Sequence, residues 1–204
     1  MLKRILCLIF AAFFIVCCCS SQRYVTVKNQ RTGQDTRVAP VFIDSSFSDL
    51  DKKNISHAVE QWNFALNGHL RFEVYENEGA WRIQDIDRAF FEHGLVIIKL
   101  SSKNCDFIPD FEVDPSGRTK ILAWVNKIGG YKIYVVRDRL RDDDVFYIMQ
   151  HEIGHALGAR HKPGKNLMYF EYYRDYYMCI DKQTTDQAAE FLGIPPKEMN
   201  YCYY

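Results

Sequence analysis

At 204 residues, 48% hydrophobic and 15% aromatic, the chain has enough apolar surface for one domain with its own core and needs no disulfide framework to fold. Its 26 Lys and Arg balance 26 Asp and Glu, with no basic tract, repeat or low-complexity stretch. That excludes a polyanion-binding module, and so a nucleic-acid partner, and it excludes a solenoid.

Lys3 and Arg4 precede an apolar run from Ile5 to Cys19 that is short for a bilayer span and has the build of a secretory signal. Residues 1–19 are therefore predicted to be a signal peptide of an exported protein. Without the first twenty residues, 24 basic groups face 26 acidic ones. The run ends Ile15-Val16-Cys17-Cys18-Cys19-Ser20-Ser21, which resembles a bacterial lipobox, an aliphatic residue three places before a cysteine that becomes lipidated. Cys18 fits best and Cys19 nearly as well; cleavage without lipid, or an uncleaved anchor, are the alternatives. Lipidation implies a membrane partner and a place in the bacterial cell envelope, on the outer membrane or cell surface.

Residues 20–37 are predicted to be a linker and N-terminal extension, and 38–204 a single domain. Val38 to Ile43 has the character of a strand, and Ser48-Asp49 opens a helix in which Ile55, Val59, Trp62 and Leu66 recur at helical spacing. Leu70, Phe72 and Val74 alternate with Arg71, Glu73 and Tyr75, the pattern of a half-buried strand. A short helix is expected around Ile83 to Phe91, then a more continuous apolar run, Leu95 to Leu100, suited to a sheet interior. The acidic stretch Asp106, Asp110, Glu112, Asp114 matches no EF-hand, so its spacing does not support calcium and a solvated loop is expected.

Ile121 to Val125 and Lys132 to Val136 flank Asn126-Lys127-Ile128-Gly129-Gly130, whose glycines make a hairpin the natural connection. A further helix is expected to start near Asp142, with Asp142, Asp143 and Asp144 opposing the dipole of its first turn. Near the end, Thr184-Thr185-Asp186-Gln187 has the form of a capping box for a closing helix through Ala188 to Leu192. Beyond the signal, Cys105, Cys179 and Cys202 allow one disulfide and one free thiol, with the pair left open.

The chemistry is concentrated in His151-Glu152-Ile153-Gly154-His155-Ala156-Leu157-Gly158-Ala159-Arg160-His161. Residues four apart share a helix face, so His151 and His155 can reach one metal ion while Glu152 projects from the adjoining flank as a general base. Gly158 can leave the right-handed region at little cost and turn the chain so that His161 becomes a third ligand. Three protein ligands leave a fourth position open, as a catalytic zinc requires. The full spacing arises by chance about once in a hundred thousand sequences of this composition, which sets aside a helix that merely carries histidines on a polar face.

After Lys162-Pro163-Gly164-Lys165 comes Asn166-Leu167-Met168-Tyr169. Three ligands in the pattern HExxHxxGxxH followed by this methionine resemble the zinc motif and Met-turn of the metzincin peptidases, closest to the matrixin branch. The resemblance covers roughly Val38 to Leu192, with specific motifs only in its last third. It implies an α+β metzincin-like catalytic domain: a twisted, mostly parallel sheet of about five strands with one antiparallel edge strand, a zinc helix, a Met-turn at Met168 and a C-terminal helix. It also implies a monomeric zinc endopeptidase acting on protein or peptide substrates, with one Zn2+ on His151, His155 and His161 and Glu152 as the catalytic base.

Alternatives are a zinc amidohydrolase on a non-peptide substrate and a non-catalytic zinc-fold binding lipoprotein. Trp124 and Tyr134 fall where matrixins usually have histidines for a second, structural zinc, so a single zinc is expected. Lys162 matches no familiar subfamily marker, Phe170 stands where some metzincins carry a tyrosine ligand, and no cysteine-switch segment lies between the signal and Val38.

Overall fold

The computed structural model of the chain describes residues 25–28, 33, 35–76, 94–104, 121–126, 131–172 and 179–202. The helix expected around Ile83 to Phe91, the acidic stretch from Asp106 to Asp114, Cys105 and the lipobox cysteines Cys18 and Cys19 lie outside the described residues.

Six strands form one sheet: β1 (Val25–Lys28), β2 (Asp35–Ile43), β3 (Leu70–Glu76), β4 (Leu95–Leu100), β5 (Ala123–Asn126) and β6 (Tyr131–Val136). β2 pairs in parallel with β3 and β4, β4 in parallel with β6, and β5 closes one end antiparallel to β6. These five strands match the mostly parallel sheet with an antiparallel edge expected from the sequence. The sheet nevertheless begins earlier than Val38. β1, antiparallel to the start of β2, lies inside the stretch predicted to be a linker, and β2 opens at Asp35. The β-branched run Val25-Thr26-Val27 suits a strand once Asp35–Val38 is there to pair with it.

Helix α1 (Asp49–Ala65) crosses from β2 to its parallel neighbour β3. Ser48 caps it reciprocally with Asp51: the Ser48 hydroxyl accepts from the Asp51 N–H and the Asp51 carboxylate accepts from the Ser48 N–H. Its inner face buries Ile55, Ala58, Val59, Trp62 and Ala65 against helix α2 (Asp144–Ala156) and β3. α2 in turn packs on β5 and β6 and is buried over most of its circumference, the condition of a core helix. The two helices are also joined by a polar contact, since the indole N–H of the fully buried Trp62 donates to the Gln150 carbonyl at 2.9 Å, one residue before His151.

α2 starts at Asp144, two residues later than expected. Asp142 is engaged elsewhere: its carboxylate pairs with Arg137, and its carbonyl accepts from Asn54 Nδ2 at 2.8 Å. Arg137 also holds Asp51 at 2.7 Å, so one guanidinium ties the end of β6 to the first turn of α1 and to the approach to α2. Helix α3 (Lys182–Leu192) likewise starts before the expected capping box. Asp181 is the cap, accepting from the Thr184 N–H at 2.9 Å, while Thr184 and Thr185 are fully buried inside the first turn. Cys179 and Cys202 form a disulfide around α3, with Cα atoms 6.2 Å apart, which settles the pairing the sequence left open.

Candidate metal centre

α2 places His151 and His155 on one face, and its end brings in the third imidazole. The helix stops at Leu157; Gly158 takes φ +89°, its N–H bonds the His155 carbonyl at 3.1 Å, and the Ala159 N–H bonds the Gly154 carbonyl at 2.9 Å. This is the double-bonded Schellman ending, and it depends on a residue tolerating the left-handed region. A Cβ at Gly158 would also lie 2.6 Å from Phe191 Cβ on α3, so the position is constrained by contact as well as by conformation. The chain then doubles back, and the Nε2 atoms of His151 and His161 come to 3.2 Å and those of His155 and His161 to 3.0 Å.

The other nitrogen of each helical ring is anchored. His151 Nδ1 lies 2.6 Å from the Leu167 carbonyl, and His155 Nδ1 lies 2.8 Å from the Ala159 carbonyl. A carbonyl can only accept, so each Nδ1 carries a proton, and the neutral form of each ring then turns its Nε2 lone pair to the centre. Burial, reinforced by the neighbouring His155 and His161, holds the His151 imidazole down to a pKa of about 3 and therefore neutral. Such lone pairs repel one another unless a proton or a cation lies among them, and the separations approach the roughly 3.3 Å expected between nitrogens about 2.0–2.1 Å from one tetrahedral zinc. The three donors lie close enough to hold one metal ion. His161 is exposed and the other two half-buried, so the cluster opens to solvent on the side of the third ring.

Glu152 occupies the neighbouring helical position but stands outside this donor group. It is 6% exposed, its Oε2 has no hydrogen-bond partner, and burial pushes its pKa up to about 8. A buried carboxylate with an unsatisfied oxygen is costly by itself, and a nearby cation or a water offering a proton relieves that cost.

Met168 lies beneath the helix. It is fully buried, and its Sδ would sit 2.8 Å from a Cβ placed on Gly154. Trp62 presses on the same spot at 3.3 Å, so the missing side chain of Gly154 lets the sulfur and the indole approach the helix between His151 and His155. Asn166 shapes the loop that delivers Met168: its Oδ1 accepts from the Met168 N–H at 3.0 Å, and its Nδ2 donates to the Pro163 and Gly164 carbonyls.

The fold thus brings His151, His155, His161, Glu152 and Met168 into one neighbourhood. Trp124 and Tyr134 form a cross-strand pair between β5 and β6, with ring centroids 4.9 Å apart and planes nearly parallel. Among the described residues no other group of three or more metal-donor side chains occurs. Sequence patterns did not single out the anchoring carbonyls of Ala159 and Leu167, the Trp62 tie or Asn166. Of these, Asn166 carried a signal, an asparagine two residues before a buried position in a Pro-Gly loop. Comparison with known proteins adds no relative: no family model matches the chain, and no curated protein matches it.

Proposed function

We propose that the chain is a zinc-dependent endopeptidase of metzincin type that hydrolyses protein or peptide substrates outside the cytoplasm. One observation carries this: three Nε2 atoms converge at a solvent-facing point, two of the rings fixed through Nδ1 to carbonyls, with a buried carboxyl group on the same helix that is not one of the donors. Zinc held there would supply Lewis acidity and make a water bound to it easier to deprotonate. His151, His155 and His161 would hold the ion and orient it. Glu152 would take a proton from the attacking water and deliver it to the leaving amine, a role suited to a carboxylate whose pKa burial has raised.

β5 supports the substrate side of this proposal. It ends the sheet, β6 is its only paired strand among the described residues, and α2 packs against it. An extended peptide adding to β5 by backbone pairing would run alongside the zinc helix. The lipobox-like Cys18 and Cys19 support attachment to the bacterial envelope, which mass spectrometry of the amino-terminal peptide from the membrane fraction tests. Among the described residues no helix is long and apolar enough to cross a membrane.

The deciding experiment is cleavage of a mixed peptide library, with small amides in parallel, by wild type and Glu152→Gln with and without a zinc chelator. The expected result is chelator-sensitive peptide cleavage that Glu152→Gln lowers about a hundred- to ten-thousandfold while retaining the metal. Turnover of amides alone would replace the peptidase by an amidohydrolase. No turnover of either by a zinc-loaded protein would leave a binding protein.

A further inference from the structure

His151 and His155 are placed by a buried helix, but His161 is not. It sits in the irregular stretch after Gly158, exposed, and needs fixing from outside that helix. Ahead of it, the Arg160 N–H donates to Gln187 Oε1 on α3 at 2.8 Å. Behind it, the Lys162 N–H donates to the Met168 carbonyl at 3.0 Å. The Lys162 side chain then runs inward instead of out to solvent, which is uncommon for lysine. It is 9% exposed, with Nζ 2.6 Å from Asp181 Oδ1 and 3.0 Å from Thr184 Oγ1.

Burying a lysine costs both desolvation and rotamer freedom, and an apolar residue would fill the same space at less cost to stability. What the ammonium adds is direction. Asp181 is the N-cap of α3 and already accepts from the Thr184 N–H and hydroxyl, so it is a rigid acceptor at a fixed place in the fold. The Cys179–Cys202 disulfide and the hydrogen bond from the Cys202 N–H to the Ile180 carbonyl at 3.0 Å secure the segment just before it. The residue next to the third imidazole is thereby pinned at its backbone to the Met168 loop and at its tip to α3.

We infer that Lys162, through its ion pair with Asp181, is the positioning residue for the third metal ligand and couples the closing helix to the metal centre. This rests on the metal site proposed above. The competing explanation is that the pair only stabilises the carboxy-terminal part of the fold, and metal affinity separates the two.

The test uses the full chain stripped of metal and titrated with Co2+ and Zn2+ against a competing chelator, for wild type, His161→Ala, Lys162→Met and Lys162→Arg. Lys162→Met should bind zinc about ten- to a hundredfold more weakly, the range usual for residues that orient metal ligands. Its cobalt spectrum should move from that of wild type towards that of His161→Ala, and Lys162→Arg, which keeps the charge, should restore most of both. Wild-type affinity and an unchanged cobalt spectrum in Lys162→Met, even with a lowered melting temperature, would overturn the inference and leave the metal site standing. Failure of wild type itself to bind either ion would instead remove the metal site and the inference with it. Should Lys162→Met not fold, Asp181→Asn, which keeps an acceptor for the Thr184 N–H, decides by the same comparison.

Discussion

Glu152 couples the site to pH in a way that can be measured without any substrate. Its pKa rises from 4.5 to about 8 on burial, so the folded protein favours the protonated carboxyl. The stability this gives the metal-free protein is fully present below about pH 4.5 and is lost as pH rises through about 8. Metal-free wild type should therefore lose a few kcal/mol across that window, and metal-free Glu152→Gln should not, as thermal melts at a series of pH values would show. Equal slopes would mean that the carboxylate is solvated. His151 runs the other way: with its pKa lowered from 6.5 to about 3, its contribution is full above 6.5 and fades as pH falls, and both proteins should share that acid limb. The convergence of the three histidines was legible because helical spacing and one glycine are local properties. The partners of those rings were less so: Ala159 is four residues from His155, but Leu167 reaches His151 only after the chain has turned twice.

Among the elements, the end of α2 bears the most on the site. Gly158→Ala would put a side chain at φ +89° and a Cβ 2.6 Å from Phe191, and should cost about 2 kcal/mol or more in urea unfolding while also weakening metal binding. Gly193→Ala is the control: its φ is +67° but nothing lies within 4 Å, so only the backbone cost of about 1–2 kcal/mol should appear and metal affinity should hold. The disulfide joins residues 23 apart, and its loss in Cys179→Ser with Cys202→Ser should lower stability by about 3 kcal/mol, read from the same unfolding curves. The start of α3 shows where local pattern fails. Asp181 and Thr184 are both good caps, and the choice went to Asp181, whose carboxylate is also held by Lys162 from another part of the chain. Asp142 likewise fitted a first helical turn until Arg137, from the end of β6, engaged it.

At the scale of the whole molecule, the alternation in β3 and the apolar run of β4 made the parallel sheet legible, while β1 was hidden because four residues identify a strand only once their partner is known. The aromatic stack of Trp124 on Tyr134 provides no donors for a second ion of the kind matrixins hold, so elemental analysis should find one zinc per chain, held more weakly in His161→Ala. A second tightly held ion insensitive to that substitution would require another site. The three imidazoles also come from one short stretch of chain, from His151 to His161. Closing so small a loop costs little entropy, so the denatured chain can gather the same rings around an ion. Binding to the denatured state subtracts from the stabilisation that a ligand gives the native one. Excess zinc should accordingly raise the melting temperature by less than its native-state affinity alone would give, and the ion should be captured early in folding, before the sheet and α3 have come together around it.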